Sequence, residues 1–549
     1  MAGAYARTGG GPVPVSRSGP RSRQALSAPN VLMIFPRFNP NSFWNLQAVC
    51  DIRGARCPAP PLGLITVAAL LPPAWNVRLV NRNAEELTDR DLDWADMVMT
   101  GGMLPQQDDA LALIAMCRER GKPVVIGGPD ATSSPEIYAA ADFRVLGEAE
   151  GILGQFIEAW GAGAEGGTFA GEKFQVDVTR SPIPRFDLLD FRHYLYVGVQ
   201  FSRGCPFNCE FCDIIELYGR VPRAKTNEQM LAELDALYGM GYRGPVDFVD
   251  DNLIGNKKAL KRFLPELHAW QKAHGYPFHL STEASMNLAD DSQLLTMMRE
   301  ANFAAIFVGI ESPDTETLIA TQKKQNTRRS LAESVHKIYD AGMFVLAGFI
   351  IGFDTEKRGV AGGMIECIED TSIPVCMVGL LTALPNTQLT RRLESEGRLL
   401  PMKQSQGDQC TAGLNFVTRR PRRDVLTDYR AVLESVYRPE GYFARVRHVG
   451  RALNRPHHRK PLGEMLKALR VLGRVMWQMG VRRADLRGQF WRTLIDCLRH
   501  NPKGLEQVVV LMVFYLHLGM FAKFLIRELD RQIGEIDSEA ADTRVALSA

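Results

Sequence analysis

Short apolar runs recur along this chain with a helix-length segment between neighbours, and the rhythm occurs twice. The first series is VLMIF at 31–35, VRLVN at 77–81, MVMTGG at 97–102, VVIGGPD at 124–130 and FRVLGE at 143–148. PPLGLITVAALL at 60–71, opened by proline, and a stretch at 108–120 read as helices between them. The second series follows a Gly-rich, loop-like region around 162–185. It comprises VGVQFSR at 197–203, PVDFVDDN at 245–252, FHLSTEAS at 278–285, AIFVGIES at 305–312, FVLAGFIIGFD at 344–354 and VCMVGLLTALPNT at 375–387. Each interval holds one crossover helix, for example NEQMLAELDALYGMG at 227–241. Apolar strands joined by helices make parallel sheets covered on both faces. The fold class is therefore α/β, with a Rossmann-like domain followed by a partial (β/α)6 barrel.

In such sheets ligands gather at the strand C-termini. Those of the second series carry Cys205, Asp250, Asp251, Asn252, Glu283, Glu311, Ser312 and Asp354, a rim of polar chemistry. In the first series two strands end in Gly-Gly, at Gly101–Gly102 and Gly127–Gly128. Backbone there approaches either a ligand or a tight turn, and the residues alone leave both open. No G-x-G-x-x-G occurs in this segment, so a dinucleotide is not expected.

FSRGCPFNCEFCD at 201–213 concentrates three of the chain's ten cysteines. Ten cysteines in 549 residues, with no charged start followed by an apolar leader, point to a reducing compartment with thiols free or metal-bound. A structural zinc takes four protein ligands, and no fourth Cys or His lies close by. Three thiolates on a cubane iron–sulfur cluster leave one iron open, which binds and activates a substrate. Zinc and an electron-transfer cluster stay open on spacing alone.

The spacing Cys205-x3-Cys209-x2-Cys212, on the loop after the first barrel strand and with Phe211 before the last cysteine, resembles the signature of the radical SAM family. The resemblance extends over about residues 195–395. It implies a [4Fe-4S] cluster on these cysteines whose open iron chelates S-adenosylmethionine (SAM), with one-electron reduction yielding a 5′-deoxyadenosyl radical. It further implies SAM contacts from Phe211, Asp250, Asp251, Asn252, Glu283, Glu311, Ser312 and Gly348, the last in GFIIGFD at 348–354. ALPNT at 383–387 resembles the family's turn after the sixth strand, with Asn386 where Gly is common.

A Rossmann-like domain directly before such a barrel resembles the cobalamin-binding class, through PPLG at 60–63, GGPD at 127–130 and LGEAE at 146–150. The resemblance implies cobalamin against Gly63, Gly101, Gly102, Gly127, Gly128, Gly147 and Glu148. The Asp-x-His-x-x-Gly of cobalamin mutases is absent and no histidine occurs between residues 1 and 192, so this domain offers cobalt no histidine. The implied reaction methylates an unreactive carbon: the methyl passes from SAM through methylcobalamin to a substrate radical, and an external reductant supplies single electrons. CDIIELYGRVPRAKT at 212–226, VDFVDDNLIGNKK at 246–258 and IESPDTETLIATQKKQNTRRS at 310–330 resemble the subgroup that includes hopanoid C-2 methylases. A hopanoid lipid is accordingly the expected substrate. Another lipid, a tetrapyrrole or a secondary metabolite, methylated or cyclised, is the alternative, and an iron–sulfur electron carrier or redox sensor is the reading of a different class.

Residues 1–29, rich in Gly, Pro, Ser and Arg, are expected to be disordered. The Rossmann-like domain is expected over 30–165, a linker over 166–194, the barrel over 195–400 and a mainly helical region over 401–549. The net charge is only +3, yet sixteen Lys and Arg face four acidic residues between Arg438 and Lys503. VVVLMVFYLHLGMFAKFLI at 508–526 then reaches membrane-span length, broken by His517 and Lys523. It reads either as a buried helix capping the barrel of a cytoplasmic protein or as a peripheral contact with the anionic inner face of the cytoplasmic membrane. Aromatics in the basic stretch are too few and irregular for a nucleic-acid partner.

Overall fold

The computed structural model describes residues 28–400, 410, 413–456, 458 and 462–548. The segment expected to be disordered lies outside them except for its last two residues. Strands β1 (Asn30–Phe35), β2 (Asn76–Asn81), β3 (Met97–Gly101), β4 (Val124–Gly127), β5 (Phe143–Leu146) and β6 (Gly167–Ala170) form a parallel sheet in the order β2-β1-β3-β4-β5-β6. Alternation along the strands explains why they are apolar throughout. Val31, Met33, Met97, Met99 and Phe143 pack into the layer on one face, and Leu32, Ile34, Val98, Val124 and Ile126 into the layer on the other. Strand β6 falls in the region read as loop. Its GTFA is only half covered and is made a strand by pairing with β5, not by an apolar run of its own.

The second half contains β7 (Val197–Val199), β8 (Ser202–Arg203), β9 (Arg223–Ala224), β10 (Gly244–Phe248), β11 (Phe278–Glu283), β12 (Phe303–Glu311), β13 (Phe344–Ile351) and β14 (Val375–Leu380). Six of these make a parallel sheet in the order β14-β13-β12-β11-β10-β7, curved but with two free edges, while β8 and β9 form a short antiparallel ribbon. The run 197–203, read as one strand, breaks at Gln200–Phe201 because the N–H groups of Phe201 and Ser202 turn to the carboxylate of Asp250. Across the inner face Gly198, Asp247, Ser281, Ala305 and Phe344 lie in register as one layer. Four of the five are small or polar, so the lumen is not filled by side chains as in a closed eight-stranded barrel. It opens into a cavity of about 2520 Å³ that runs from the strand ends of the first sheet, through the barrel, to the C-terminal helices.

Those helices are Arg422–Val436, Pro439–Ala452, Leu462–Trp477, Ala484–His500 and Leu505–Ser548. Part of the last passes the length and hydropathy test for a membrane span, but 61% of that window is buried. Val508, Leu511, Met512 and Leu518 are sealed in the core. The Tyr442 hydroxyl donates to the Leu511 carbonyl (2.7 Å), and the His517 ring meets the Phe43 carbonyl (3.1 Å), docking the helix on the N-terminal domain. Val509, Val510, Val513 and Phe514 wall the cavity. The 508–526 run is therefore a largely buried helix.

The two sheets are tied by a buried ionic clamp. Arg203 on β8 donates to Glu148 (3.1 Å) and Glu150 (2.6 Å), and Arg223 on β9 donates to Glu148 (2.8 Å). Burial opposes charge on Glu150, but Arg203 outweighs it and holds the carboxyl down to about 2. Arg203→Met is expected to cost about 3–5 kcal/mol in chemical denaturation, the range for removing one partner of a buried pair. Because the Glu150 carboxyl is depressed from 4.5 to about 2, its contribution is complete above the upper value and lost as pH falls through that window. The wild-type chain should lose more stability than Arg203→Met across that acid interval, and parallel slopes would refute the pairing.

Candidate active site

The cysteine loop is built from its neighbours. Gly204 sits at φ +97°, and a Cβ there would come within 2.9 Å of the Gly219 carbonyl, so glycine is required just before Cys205. The Cys205 N–H donates to that same carbonyl (3.2 Å). Beneath the loop, Asp250 accepts from the Phe201 N–H (2.9 Å) and the Ser202 hydroxyl (2.6 Å), and Asp251 accepts from the Gly204 N–H (2.8 Å). The Asn252 amide points at the Cys205 sulfur (3.7 Å) and at Ser285 (3.1 Å). Burial raises Asp250 to about 7 and Asp251 to about 6 despite these donors. The three residues after β10 thus brace the loop from below. Its far side is held by Glu210, which pairs with Arg392 (2.5 Å), and by Asn208, whose amide donates to Gln322 (2.7 Å). The Phe211 ring packs on Phe353 at 5.7 Å.

Cys209 is buried, and Cys205 and Cys212 are half-buried. The Gln325 amide approaches the Cys209 sulfur (3.7 Å), while its oxygen is buried without a hydrogen bond. Among the described residues no three Cys, His, Asp or Glu side chains converge on a single-ion position.

The ends of β11 to β13 supply the next layer. Glu283, Phe307 and Leu346 are in register. Glu283 is exposed to the cavity, and no hydrogen bond or ion pair to the described residues engages its carboxylate. Desolvation in this concave setting first, then the nearby charges of Asp247, Asp251 and Glu311, push it up to about 8. Glu311 adopts φ +67°, unusual for a residue with a side chain, at a register shift between β12 and β13. Its carboxylate pairs with Lys323 (2.7 Å) directly over Gly309, where a Cβ would lie 2.2 Å from the carboxylate oxygen. Gly348 adjoins Phe307 and Glu311. Ser312 is fully buried and its hydroxyl accepts from the Asp314 N–H (3.2 Å), so it shapes the turn after β12 and does not line the cavity. Asp354 is engaged by Arg392 (2.8 Å) and Arg398 (2.6 Å).

On the other wall Gly63, Gly101, Gly102, Gly127, Gly128, Gly147 and Glu148 all face the cavity. A Cβ on Gly101 would lie 2.7 Å from the Gly127 carbonyl, and one on Gly127 would lie 2.9 Å from the Val145 carbonyl. Glycine there lets the strand ends close on one another and leaves a floor of bare backbone. Gly63 has open space beside it. Glu148 spends its carboxylate on the clamp. Asn386 adopts φ +63°, the left-handed conformation in which Asn substitutes for Gly, and its amide donates to the Ser133 carbonyl (2.9 Å), a second tie between the sheets.

The sequence reading missed Lys323 and Gln325, which approach the site from a helical turn with no local pattern to mark them. It also missed Arg203, although a charge inside the apolar run VGVQFSR was a signal that a partner waited in the fold.

A family model described as the Radical SAM superfamily matches residues 199–361, and a domain of unknown function, DUF4070, matches 387–531. An uncharacterised methyltransferase of Synechocystis sp. is 43% identical over 517 residues, covering 94% of this chain and 96% of its own. The hopanoid C-2 methylase of Rhodopseudomonas palustris is 34% identical over 516 residues, covering 92% and 95%. Among solved structures, the cobalamin-dependent S-adenosylmethionine radical enzyme OxsB superposes with a TM-score of 0.58 at 14% identity, covering 93% of this chain and 81% of its own. TsrM from Kitasatospora setae, a radical S-adenosylmethionine methyltransferase, gives 0.56 at 14% identity, covering 86% and 99%. With a radical SAM core and full-length methyltransferase relatives, the chain belongs to the radical SAM superfamily, in its methyltransferase family, and has the fold of the cobalamin-dependent members.

Proposed function

We propose that this protein is a cobalamin-dependent methylase that places a methyl group on an unactivated carbon of an apolar lipid, C-2 of a hopanoid. The observation that carries the reading is the single cavity joining the bare strand ends of the first sheet, the carboxylates of Asp250, Asp251 and Glu283 near the cysteine loop, and an apolar tunnel lined by Phe307, Leu346, Met377, Val513 and Phe514. At about 2520 Å³ it exceeds by more than twofold the upper range of about 1,000 Å³ for small-molecule sites, and so has room for several groups at once. When bound, the cluster with SAM supplies hydrogen abstraction from carbon, and cobalamin supplies the methyl group that replaces it.

The residues fit those groups. Cys205, Cys209 and Cys212 would hold the cluster, with the Asn252 and Gln325 amides donating to the first two sulfurs. Glu283 is an acceptor for the cationic methionine end of SAM, and the Glu311–Lys323 pair offers a fixed acceptor and a cation beside it. The glycine floor at the ends of β3 and β4 suits a flat macrocycle pressed on backbone. No side chain need act as acid or base. The chain's part is alignment, secured by the clamp, and exclusion of water by the apolar walls. The free thiols suit a reducing compartment, and single electrons must come from an external reductant. The 34% identity to a hopanoid C-2 methylase over nearly the whole chain favours that substrate over other apolar lipids.

Cys209→Ala is expected to abolish the visible iron–sulfur absorption and the release of 5′-deoxyadenosine; retention of either would remove the cluster assignment. For the substrate, expression in a hopanoid-producing host that lacks a C-2 methylase should yield hopanoids heavier by one methyl on the A ring. An unchanged profile, with an intact cluster and cobalamin supplied, would overturn the hopanoid assignment. Glu283 gives a pH test on the apoprotein. Its carboxyl is raised from 4.5 to about 8, so the folded chain keeps a proton that the unfolded chain loses, and stability declines as pH climbs through that interval. Glu283→Gln should flatten the decline in urea midpoints, and an unaltered slope would contradict the raised carboxyl.

A further inference from the structure

The membrane-length run is buried, but another helix in the same region is not. Leu462–Trp477 leaves Met465 (48%), Leu466 (51%), Leu469 (59%) and Trp477 (60%) exposed. Their spacing sets them on one arc of the helix. Lys467 and Arg470 lie along the edge of that stripe, both exposed. Met465 and Leu469 of the stripe, and Lys467 and Arg470 beside it, also line the cavity together with Val471 and Leu472, so the stripe rims the cavity mouth. The helix is pinned to the N-terminal domain by Arg474, which donates to the Ile52 carbonyl (3.2 Å). The helix thus stands at the mouth of the cavity, with Leu466 and Trp477 of the stripe outside the lining, and Pro502 and Lys503 line the cavity beside it.

We infer that Leu462–Trp477 lies in the surface of an anionic phospholipid bilayer and sets the adjoining end of the cavity against the membrane, so that an apolar substrate passes from bilayer to active site without crossing water. An interfacial helix needs an apolar face with bulky residues such as Leu and Trp, and a basic border. Both are present here, with Lys467 and Arg470 exposed at the stripe, inside a segment of sixteen basic and four acidic residues between Arg438 and Lys503. Of those basic residues Arg445 and Arg455 are buried, and Arg451 and Arg483 pair with Asp496 and Asp485. Charge complementarity selects anionic lipid as the occupant of the stripe. The delivery step rests on the methylase reading of the cavity, whereas bilayer binding stands without it.

Full-length holoenzyme is mixed with vesicles of phosphatidylcholine, with and without phosphatidylglycerol, and sedimented at low and high salt. The expected result is binding to the anionic vesicles that weakens with salt, and a fall of about tenfold or more for L466E/W477E, since two exposed apolar anchors are withdrawn. Both residues are exposed and neither lines the cavity, so the variant should keep the wild-type urea midpoint and the wild-type rate of 5′-deoxyadenosine release. Wild-type protein that stays in the supernatant, or a variant that binds as wild type does, would overturn the proposal. So would a wild-type dimer that becomes a monomer in L466E/W477E by light scattering, which would make the stripe a protein interface. Failure of the wild type to release 5′-deoxyadenosine would strike the methylase reading alone and leave the vesicle result standing.

Discussion

A buried arginine two residues before the first cysteine of the thiol loop governs the geometry of this protein. Arg203 leaves the barrel sheet and enters a pair of glutamates on the first sheet, Glu148 and Glu150, while Arg223 enters from the neighbouring strand. Charges taken out of water in this way are stable only when each finds its partner in good geometry, so the pairing tolerates one relative placement of the two sheets. Because Gly204 and Cys205 follow immediately, that placement also sets where the thiol loop stands relative to the glycine floor of the first sheet.

The second constraint is what the barrel lacks. Gly198, Asp247, Ser281 and Ala305 hold a layer that bulky residues fill in closed barrels, and the resulting lumen continues as a tunnel to the C-terminal helices. The long helix Leu505–Ser548 serves two ends here. One side seals the core through Leu511 and Met512, and the other presents Val513 and Phe514 to the tunnel. Much of its apolar composition therefore follows from these two contacts. An exposed apolar stripe belongs instead to the shorter helix Leu462–Trp477, which at 16 residues is below span length.

Much of the architecture was legible because parallel strands covered on both faces must be apolar throughout. VLMIF and FVLAGFII announce themselves in that way, and the helices between them follow from the crossover requirement. Strand β6 escaped because an edge strand half open to solvent carries no such run. The partners that the strand-end side chains find were not legible. Asp250 and Asp251 stand side by side in the sequence, and the fold turns both onto the backbone of the cysteine loop. Ser312 is likewise absorbed by its own turn, and Glu148 by the clamp.

The sequence by itself determined what is local: the spacing of Cys205, Cys209 and Cys212, the glycine demanded before them, the strand and helix rhythm, and the methyltransferase family to which that pattern belongs. Tertiary structure decided what depends on distant partners. It matched Lys323 to Glu311, Arg203 to Glu150 and His517 to Phe43, it buried the run at 508–526, and it left Leu466 and Trp477 exposed. The physical reason is that backbone conformation and periodicity are set by neighbours along the chain. Desolvation and charge pairing, by contrast, are set by whatever the fold brings within a few ångströms.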